Sequence, residues 1–253
     1  MTDFRSRVLA GETLIGSFSD LGSPLAAELL GRAGMDWTVL DLEHGAATEA
    51  ELLALLYAVG TTPMAAIVRP QSAERLRVGR ALDLGAAGIM LPQLQSIEGV
   101  REAVSFLRYP PTGSRGVALR TRGGGLGELT HDTLTQVVHQ RIVGIVQIES
   151  AGAVAAADEI AGLDEVDVLF VGPADLSHAL GIPGRFDEPV YLDAIRSVVA
   201  AARAHGKAAG ILIYDGAGYE RHFELGFRFI GLGSEGSFVS AGAAAMLRAT
   251  GRG

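Results

Sequence analysis

The feature that most constrains this chain is an order of elements. Eight short apolar runs recur along it, each followed by a longer stretch with helical spacing. The runs are Leu14–Phe18, Trp37–Leu42, Ala65–Val68, Gly88–Leu91, Ile142–Ile148, Val166–Val171, Ala208–Ile213 and Phe229–Leu232. Helices are predicted over 23–33, from Thr48 (with Glu51 completing a capping-box pattern), through Leu76 and Leu82, and over 96–107, 131–140, 152–161, 190–204, 218–225 and 238–250. Most runs are apolar throughout rather than alternating, as parallel strands buried on both faces should be. Eight strands alternating with helices, in a chain of 253 residues, predict the α/β class and a TIM (β/α)₈ barrel as one domain over 1–253. A doubly wound open sheet is the rival, but it needs a topological switch point and usually fewer strands. The one long break, Tyr109–Gly127, carries Pro-Pro, Gly-Ser and a Gly triplet and reads as a loop.

Composition narrows the chemistry. The chain has no Cys, which excludes disulfides, thiolate metal sites and Cys nucleophiles. Its net charge of −8 argues against nucleic acid as a partner, because phosphate backbones call for clustered Lys and Arg. Residues 1–7 are polar and no apolar stretch is long enough to span a bilayer, so neither a signal peptide nor a membrane segment is predicted, and a cytoplasmic protein is expected.

Catalytic groups of a barrel come from the C-terminal ends of its strands. The second run ends in Asp41, Glu43 and His44, the third in Arg69-Pro70, the fourth in Pro92-Gln93, the fifth in Gln147 and Glu149, and the sixth in Gly172-Pro173-Ala174-Asp175. Glu149 and Asp175 suit an oxygen-liking divalent ion, or each caps the helix that follows. His44, beside Asp41 and Glu43, is a candidate general base or a hydrogen-bonded structural residue. His178 is the only other His near the expected site. Arg69 must find an anion: either Asp41 in a structural bridge, or a substrate oxygen that gains charge. Gly172-Pro173-Ala174-Asp175-Leu176 opens a turn or helix whose free backbone N–H groups can hold a carboxylate. Gly231–Gly236 is a literal G-x-G-x-x-G, but too little chain follows for a second βαβ strand, so no nucleotide cofactor is expected.

Taken in order, these segments resemble the metal-dependent pyruvate aldolases of the HpcH/HpaI type. The resemblance rests on Leu40-Asp-Leu-Glu-His-Gly45, Val68-Arg-Pro70, Leu91-Pro-Gln-Leu-Gln-Ser96, Arg108-Tyr-Pro-Pro-Thr-Gly-Ser-Arg-Gly116, Gln147-Ile-Glu-Ser150 and Val171-Gly-Pro-Ala-Asp-Leu-Ser177. It implies a phosphoenolpyruvate/pyruvate-type barrel that cleaves 4-hydroxy-2-oxo acids to pyruvate, or an analogue such as hydroxypyruvate, and an aldehyde. It implies that Glu149 and Asp175 hold Mg²⁺, Mn²⁺ or Co²⁺, that His44 accepts the proton, and that Arg69 stabilises the transition state. Gln147 and the backbone around Ala174 then contact pyruvate. Asp83 corresponds to an acid that raises the histidine's basicity, often from a neighbouring subunit. A hexamer, with the C-terminal helix exchanged between paired subunits, is implied in the same way. The wording departs from the heptanedioate enzymes at Ile211–Asp215 and Gly233–Phe238, where the aldehyde should bind.

Lys207 is the only Lys and precedes the seventh run, which disfavours a Schiff base. Two other readings are a citrate-lyase-like acyl-CoA lyase and a non-catalytic keto-acid-binding barrel. Arg115, Arg120 and Arg122 on the long loop are the candidates for CoA, or for steering an anionic aldehyde.

Overall fold

The computed structural model describes residues 3–251, so the outermost residues of the domain expected over 1–253 lie outside it. The chain runs α1 (Phe4–Leu9), β1 (Leu14–Ser19), α2 (Pro24–Arg32), β2 (Trp37–Asp41), α3 (Leu52–Val59), β3 (Ala65–Arg69), α4 (Arg75–Asp83), β4 (Gly88–Leu91) and α5 (Ile97–Ser105). After the long loop come α6 (His131–Arg141), β5 (Val143–Ile148), α7 (Ala151–Ala155), α8 (Ala157–Ala161), β6 (Val168–Val171), α9 (Pro173–Ala179) and α10 (Pro189–Ala204). The last elements are β7 (Ala208–Ile213), α11 (Tyr219–Leu225), β8 (Phe229–Ser234) and α12 (Glu235–Ala249). All strand pairs are parallel, and β1 pairs with β8 as well as β2, so the sheet closes into a barrel of eight strands in sequence order. Among the described residues, no helix is long and apolar enough to cross a membrane.

Two apolar layers hold this shape. One lies between the barrel and the surrounding helices. The other fills the barrel and includes Trp37, Val39, Ile67, Met90, Ile145 and Phe170. Trp37 stacks on Phe229 with ring centroids 4.2 Å apart and meets Phe170 edge-on. Its indole N–H donates to the Leu14 carbonyl at 3.2 Å, which satisfies its one polar atom inside the barrel. This packing needs a glycine at 16 on β1, because a Cβ there would sit 2.1 Å from the Trp37 ring. Interior rings of this size make the barrel a packed core, leaving function to its loops.

The helical expectations hold with local differences. Thr48 and Glu51 do bond to each other, but the intervening residues form a turn and α3 begins only at Leu52. The helix expected over 152–161 breaks at Ala156 into α7 and α8. α12 starts three residues before the expected Phe238, because Ser234 and Ser237 form a capping box. The sequence reading had no α1. That helix lies at the N-terminal end of the barrel, where Val8 joins the interior layer, Phe4 packs against it, and Arg5 makes a two-pronged ion pair with the fully buried Asp167.

Candidate active site

The C-terminal ends of the strands surround a cavity of about 380 Å³. Asp41, His44, Arg69, Gln147, Gly172, Pro173, Ala174 and Asp175 all line it. It is built from the residues that follow β2, β3, β5 and β6 on one side and β1, β7 and β8 on the other.

Asp41 is the last residue of β2, in register with Arg69, the last residue of β3. That register lets a carboxylate and a guanidinium meet side by side. Arg69 donates to Asp41 through Nε at 2.9 Å and Nη2 at 2.7 Å, and its Nη1 lies 3.2 Å from Glu43. Burial opposes the charge on Arg69, but Asp41, Glu43 and Glu149 outweigh it and raise its pKa. Phe18 covers the guanidinium, with its ring centroid 5.1 Å away. Both alternatives considered for Arg69 are therefore compatible: it bridges Asp41 and it still faces the cavity.

Asp41 also shapes the chain that follows it. Its Oδ1 accepts the backbone N–H of Glu43 at 3.0 Å and of His44 at 3.3 Å. This turn presents the His44 side chain to the cavity, 64% exposed. The nearest carboxylate to the ring is Glu43, at 3.9 Å from Nε2, too long for a hydrogen bond.

Glu149 follows β5 and is buried behind the wall of the cavity. Its Oε1 accepts the Gln93 backbone N–H at 2.6 Å and its Oε2 accepts Gln147 Nε2 at 3.1 Å. Burial raises its pKa, opposed by the Gln93 amide; Asp175 and Glu43 add to the rise and Arg69 offsets part of it. The carboxylate of Glu149 can lie so close to the chain only because residue 172 is glycine, where a Cβ would stand 3.0 Å from Oε2. Asp175 lies in the first turn of α9, solvent-facing, with its carboxylate close enough to act on both Glu149 and Tyr214. Gln147 Oε1 is buried and has no hydrogen-bond partner. The described residues hold no group of three or more His, Cys, Asp and Glu side chains arranged for a metal ion. What they do offer is two carboxylates and an unused amide oxygen, an all-oxygen donor set that carries surplus negative charge. Such a set fits a hard divalent cation whose remaining positions are filled by water and substrate.

Gln93 was noted in the sequence as the end of the fourth run and as part of a resemblance segment, without a role, yet it ties the site together. Its side chain donates to Glu43 at 2.7 Å while its backbone N–H holds Glu149. Its φ of 55° is unusual for a residue with a side chain, and such strain collects at functional sites. The opposite wall is formed at the ends of β1, β7 and β8 by Asp20, Leu212, Tyr214, Ser234 and Ser237. The last four fall in the segments 211–215 and 233–238, where the resemblance puts the aldehyde, whereas Asp20 was missed. Burial and then Asp175 raise the pKa of the Tyr214 hydroxyl, against a hydrogen bond with the Ala174 backbone. That hydroxyl is a neutral hydrogen-bonding group.

Asp83 does not join this cavity on the same chain. It ends α4, pairs with Arg115 Nη2 at 3.0 Å, and lines a separate cavity of about 230 Å³. Arg115 is buried under Tyr109, Arg122 lies over the Tyr57 ring at 4.2 Å, and Arg120 is exposed on the loop; none of the three lines the large cavity. His178, on α9, is also outside its lining. The G-x-G-x-x-G segment forms the β8–α12 turn, where Gly233 lines the cavity and Ser234 caps α12.

Known proteins share this sequence and shape. The profile of the HpcH/HpaI aldolase/citrate lyase family matches residues 14–241. A 5-keto-4-deoxy-D-glucarate aldolase from Enterobacter sp. (strain 638) is 38% identical, over 94% of this chain and 93% of its own. A hydroxypyruvate/pyruvate aldolase from Delftia acidovorans is 37% identical, over 96% of this chain and 90% of its own. The crystal structure of a family protein from Burkholderia cenocepacia J2315 superposes with a TM-score of 0.92 at 34% identity, covering 97% of this chain and 98% of that one.

Proposed function

The chain belongs to the HpcH/HpaI aldolase/citrate lyase family, and from that premise and the cavity we propose that it is a divalent-metal-dependent aldolase which reversibly cleaves 4-hydroxy-2-oxo acids to pyruvate, or hydroxypyruvate, and an aldehyde. Its named relatives are aldolases, and it is a carbon–carbon lyase. The observation that carries the reading is the gathering of one surplus-negative oxygen set, one guanidinium and one exposed imidazole around a single cavity.

Glu149 and Asp175 would hold the metal, as Mg²⁺, Mn²⁺ or Co²⁺. When bound, such an ion supplies Lewis-acid polarisation of the ketone and so acidifies the neighbouring carbon. Gln147 and the backbone at Ala174 orient the keto acid's carboxylate. Arg69 faces the ketone oxygen and stabilises the negative charge that grows there. Its pairing with Asp41 and Glu43 fixes the guanidinium before substrate arrives. His44 takes the proton from the C4 hydroxyl, directly or through a water. The C3–C4 bond then breaks, its electron pair passes to C3 and on to the enolate oxygen, and C4 leaves as the aldehyde carbonyl. A proton returned to C3 completes pyruvate. Synthesis is the same path reversed, with His44 giving its proton to the new hydroxyl. Lys207 bonds the Leu163 carbonyl, away from the cavity, and takes no part. Of the candidate cations for an acyl-CoA lyase, Arg115 is engaged with Asp83 and Arg122 with Tyr57, which leaves Arg120, exposed on the loop and outside the cavity lining.

The test is pyruvate release by chelator-treated protein from 4-hydroxy-2-oxo acids of different chain length, with and without each metal. Metal-restored release is expected. A folded protein that releases nothing with any of the three ions would overturn the proposal.

A further inference from the structure

The cavity has two unlike halves, and the second says what kind of aldehyde it takes. The keto-acid half is the side of Gln147, Glu149 and Gly172–Asp175. Facing it is a wall formed by Phe18, Asp20, Leu212, Tyr214, Ser234 and Ser237. Its polar groups are hydroxyls and one carboxylate. Among the described residues lining the cavity, Arg69 is the only Arg or Lys, and it is already committed to Asp41 and Glu43.

Asp20 follows β1 and is fixed in place. Its Oδ1 accepts the Gly236 backbone N–H at 2.9 Å, in the first turn of α12. Behind it, the buried Glu235 accepts the Leu21 backbone N–H at 3.3 Å, and burial, together with the charge of Asp20, raises its pKa. A carboxylate brought against this wall would meet like charge, and among the described lining residues the one cation, Arg69, is already paired. A hydroxyl group would meet partners instead: it can donate to Asp20, and it can exchange hydrogen bonds with Tyr214 and Ser234. Arg115, Arg120 and Arg122 of the long loop do not line the cavity.

We propose that the aldehyde partner is a short, neutral aldehyde bearing hydroxyl groups, and that Asp20 is the residue which disfavours acidic semialdehydes. This rests on the aldolase reading above but is separable from it. The specificity belongs to the β1, β7 and β8 ends, while the keto-acid chemistry belongs to β2, β3, β5 and β6.

The experiment uses the full chain in its native assembly, loaded with Mg²⁺ or Mn²⁺ and given pyruvate as donor. Initial rates of aldol addition are compared for glyceraldehyde and glycolaldehyde against succinic semialdehyde and glyoxylate. Exchange of the pyruvate methyl protons in D₂O, followed by NMR without any aldehyde, reports the keto-acid half alone. The parent should favour the neutral hydroxyaldehydes in kcat/KM by on the order of tenfold or more, the effect of one like charge a few ångströms away. Asp20→Asn, whose amide oxygen can still accept from Gly236, should shrink that preference by about tenfold by improving the acidic aldehydes. Methyl exchange should be unchanged, and Asp20→Glu should retain the preference. A parent that exchanges the methyl protons yet prefers acidic aldehydes would overturn the proposal, as would Asp20→Asn leaving the ratio within about twofold. Absence of methyl exchange would instead overturn the aldolase reading, and this one with it.

Discussion

Replacing Gly172 with alanine should damage the site while sparing the barrel. Its backbone, at φ −90° and ψ 95°, suits any L-residue, so the substitution brings no conformational strain. The obstacle is contact: the new Cβ would stand 3.0 Å from Glu149 Oε2 and 3.2 Å from Glu149 Cβ. Ordinary contact begins at 3.4 Å, so the carboxylate or the α9 entry must move by about 0.4 Å. Glu149 cannot yield freely, because the Gln93 amide and Gln147 hold both of its oxygens. Overpacking of this kind costs about 1–3 kcal/mol. The stiffer unfolded chain returns about 0.4–1 kcal/mol. A net loss of about 1–2 kcal/mol lowers Tm by about 2–8 °C in a chain of this size, so the variant stays folded at room temperature. Activity is more sensitive. A misplacement of 1 Å costs roughly 10²-fold, and about 0.4 Å should cost fivefold to tenfold in kcat/KM, with weaker metal binding by calorimetry. If Gly172→Ala matches the parent within about twofold in kcat/KM and in metal affinity, the close approach to Glu149 has no functional weight and the reasoning is wrong.

Three further outcomes follow from the same geometry. His44→Gln should lower kcat for retro-aldol cleavage by about 10²–10⁴ while KM for the keto acid stays near the parent's; steady-state rates within about threefold of the parent would remove His44 from the proton path. His139 accepts the Tyr109 N–H at 2.7 Å, and burial, then the charges of Arg108, Arg115 and Arg5, push its pKa down to about 4. The unfolded chain therefore takes up a proton near pH 6.5 that the folded chain refuses until about pH 4. Stability should fall as pH drops through that window, by about 1–2 kcal/mol after allowance for solvent screening at this half-buried ring. Urea titrations that show the same pH 7 to pH 5 loss in His139→Gln would refute that assignment. Finally, Val239, Met246 and Leu247 of α12 are each more than half exposed, as are Leu25 and Leu29 of α2. A second copy of the chain is expected to cover this apolar surface, so light scattering should give a multiple of the monomer mass. Deletion of α12 should lower that mass, and a parent that stays monomeric at micromolar concentration would count against it.

The barrel was legible because parallel strands buried on both faces leave continuous apolar runs, and eight of them with helices between admit few alternatives. What escaped were features set by distant partners. α1 is only six residues long, and what anchors it is an ion pair from Arg5 to Asp167 across a sequence separation of 162. No local periodicity announces that contact. The break at Ala156 is similar, since 152–161 is as helical in composition as the segments that run straight.

The site divides along the same line. Asp41, Arg69, Gln147 and Glu149 could be found from sequence because a charged or amide group ending a buried strand has to be explained by a partner or a task. Asp20 could not, and Tyr214, Ser234 and Ser237 were reached only as segments, through the resemblance, not as individual residues. A Ser, an Asp or a Tyr just past an apolar run is the ordinary vocabulary of turns and helix caps, and Ser234 and Ser237 do cap α12 as well as line the cavity. The groups proposed for the common chemistry are therefore conspicuous in sequence, and those proposed to select the aldehyde are camouflaged. Gln93 shows the limit from the other side. Its position was visible, but its work depends on a left-handed backbone that lets one residue hold Glu43 with its side chain and Glu149 with its amide. Only coordinates reveal such a bend. It joins the ends of β2 and β5, where its two hydrogen bonds fix the spacing of Glu43 and Glu149 at the cost of a strained backbone.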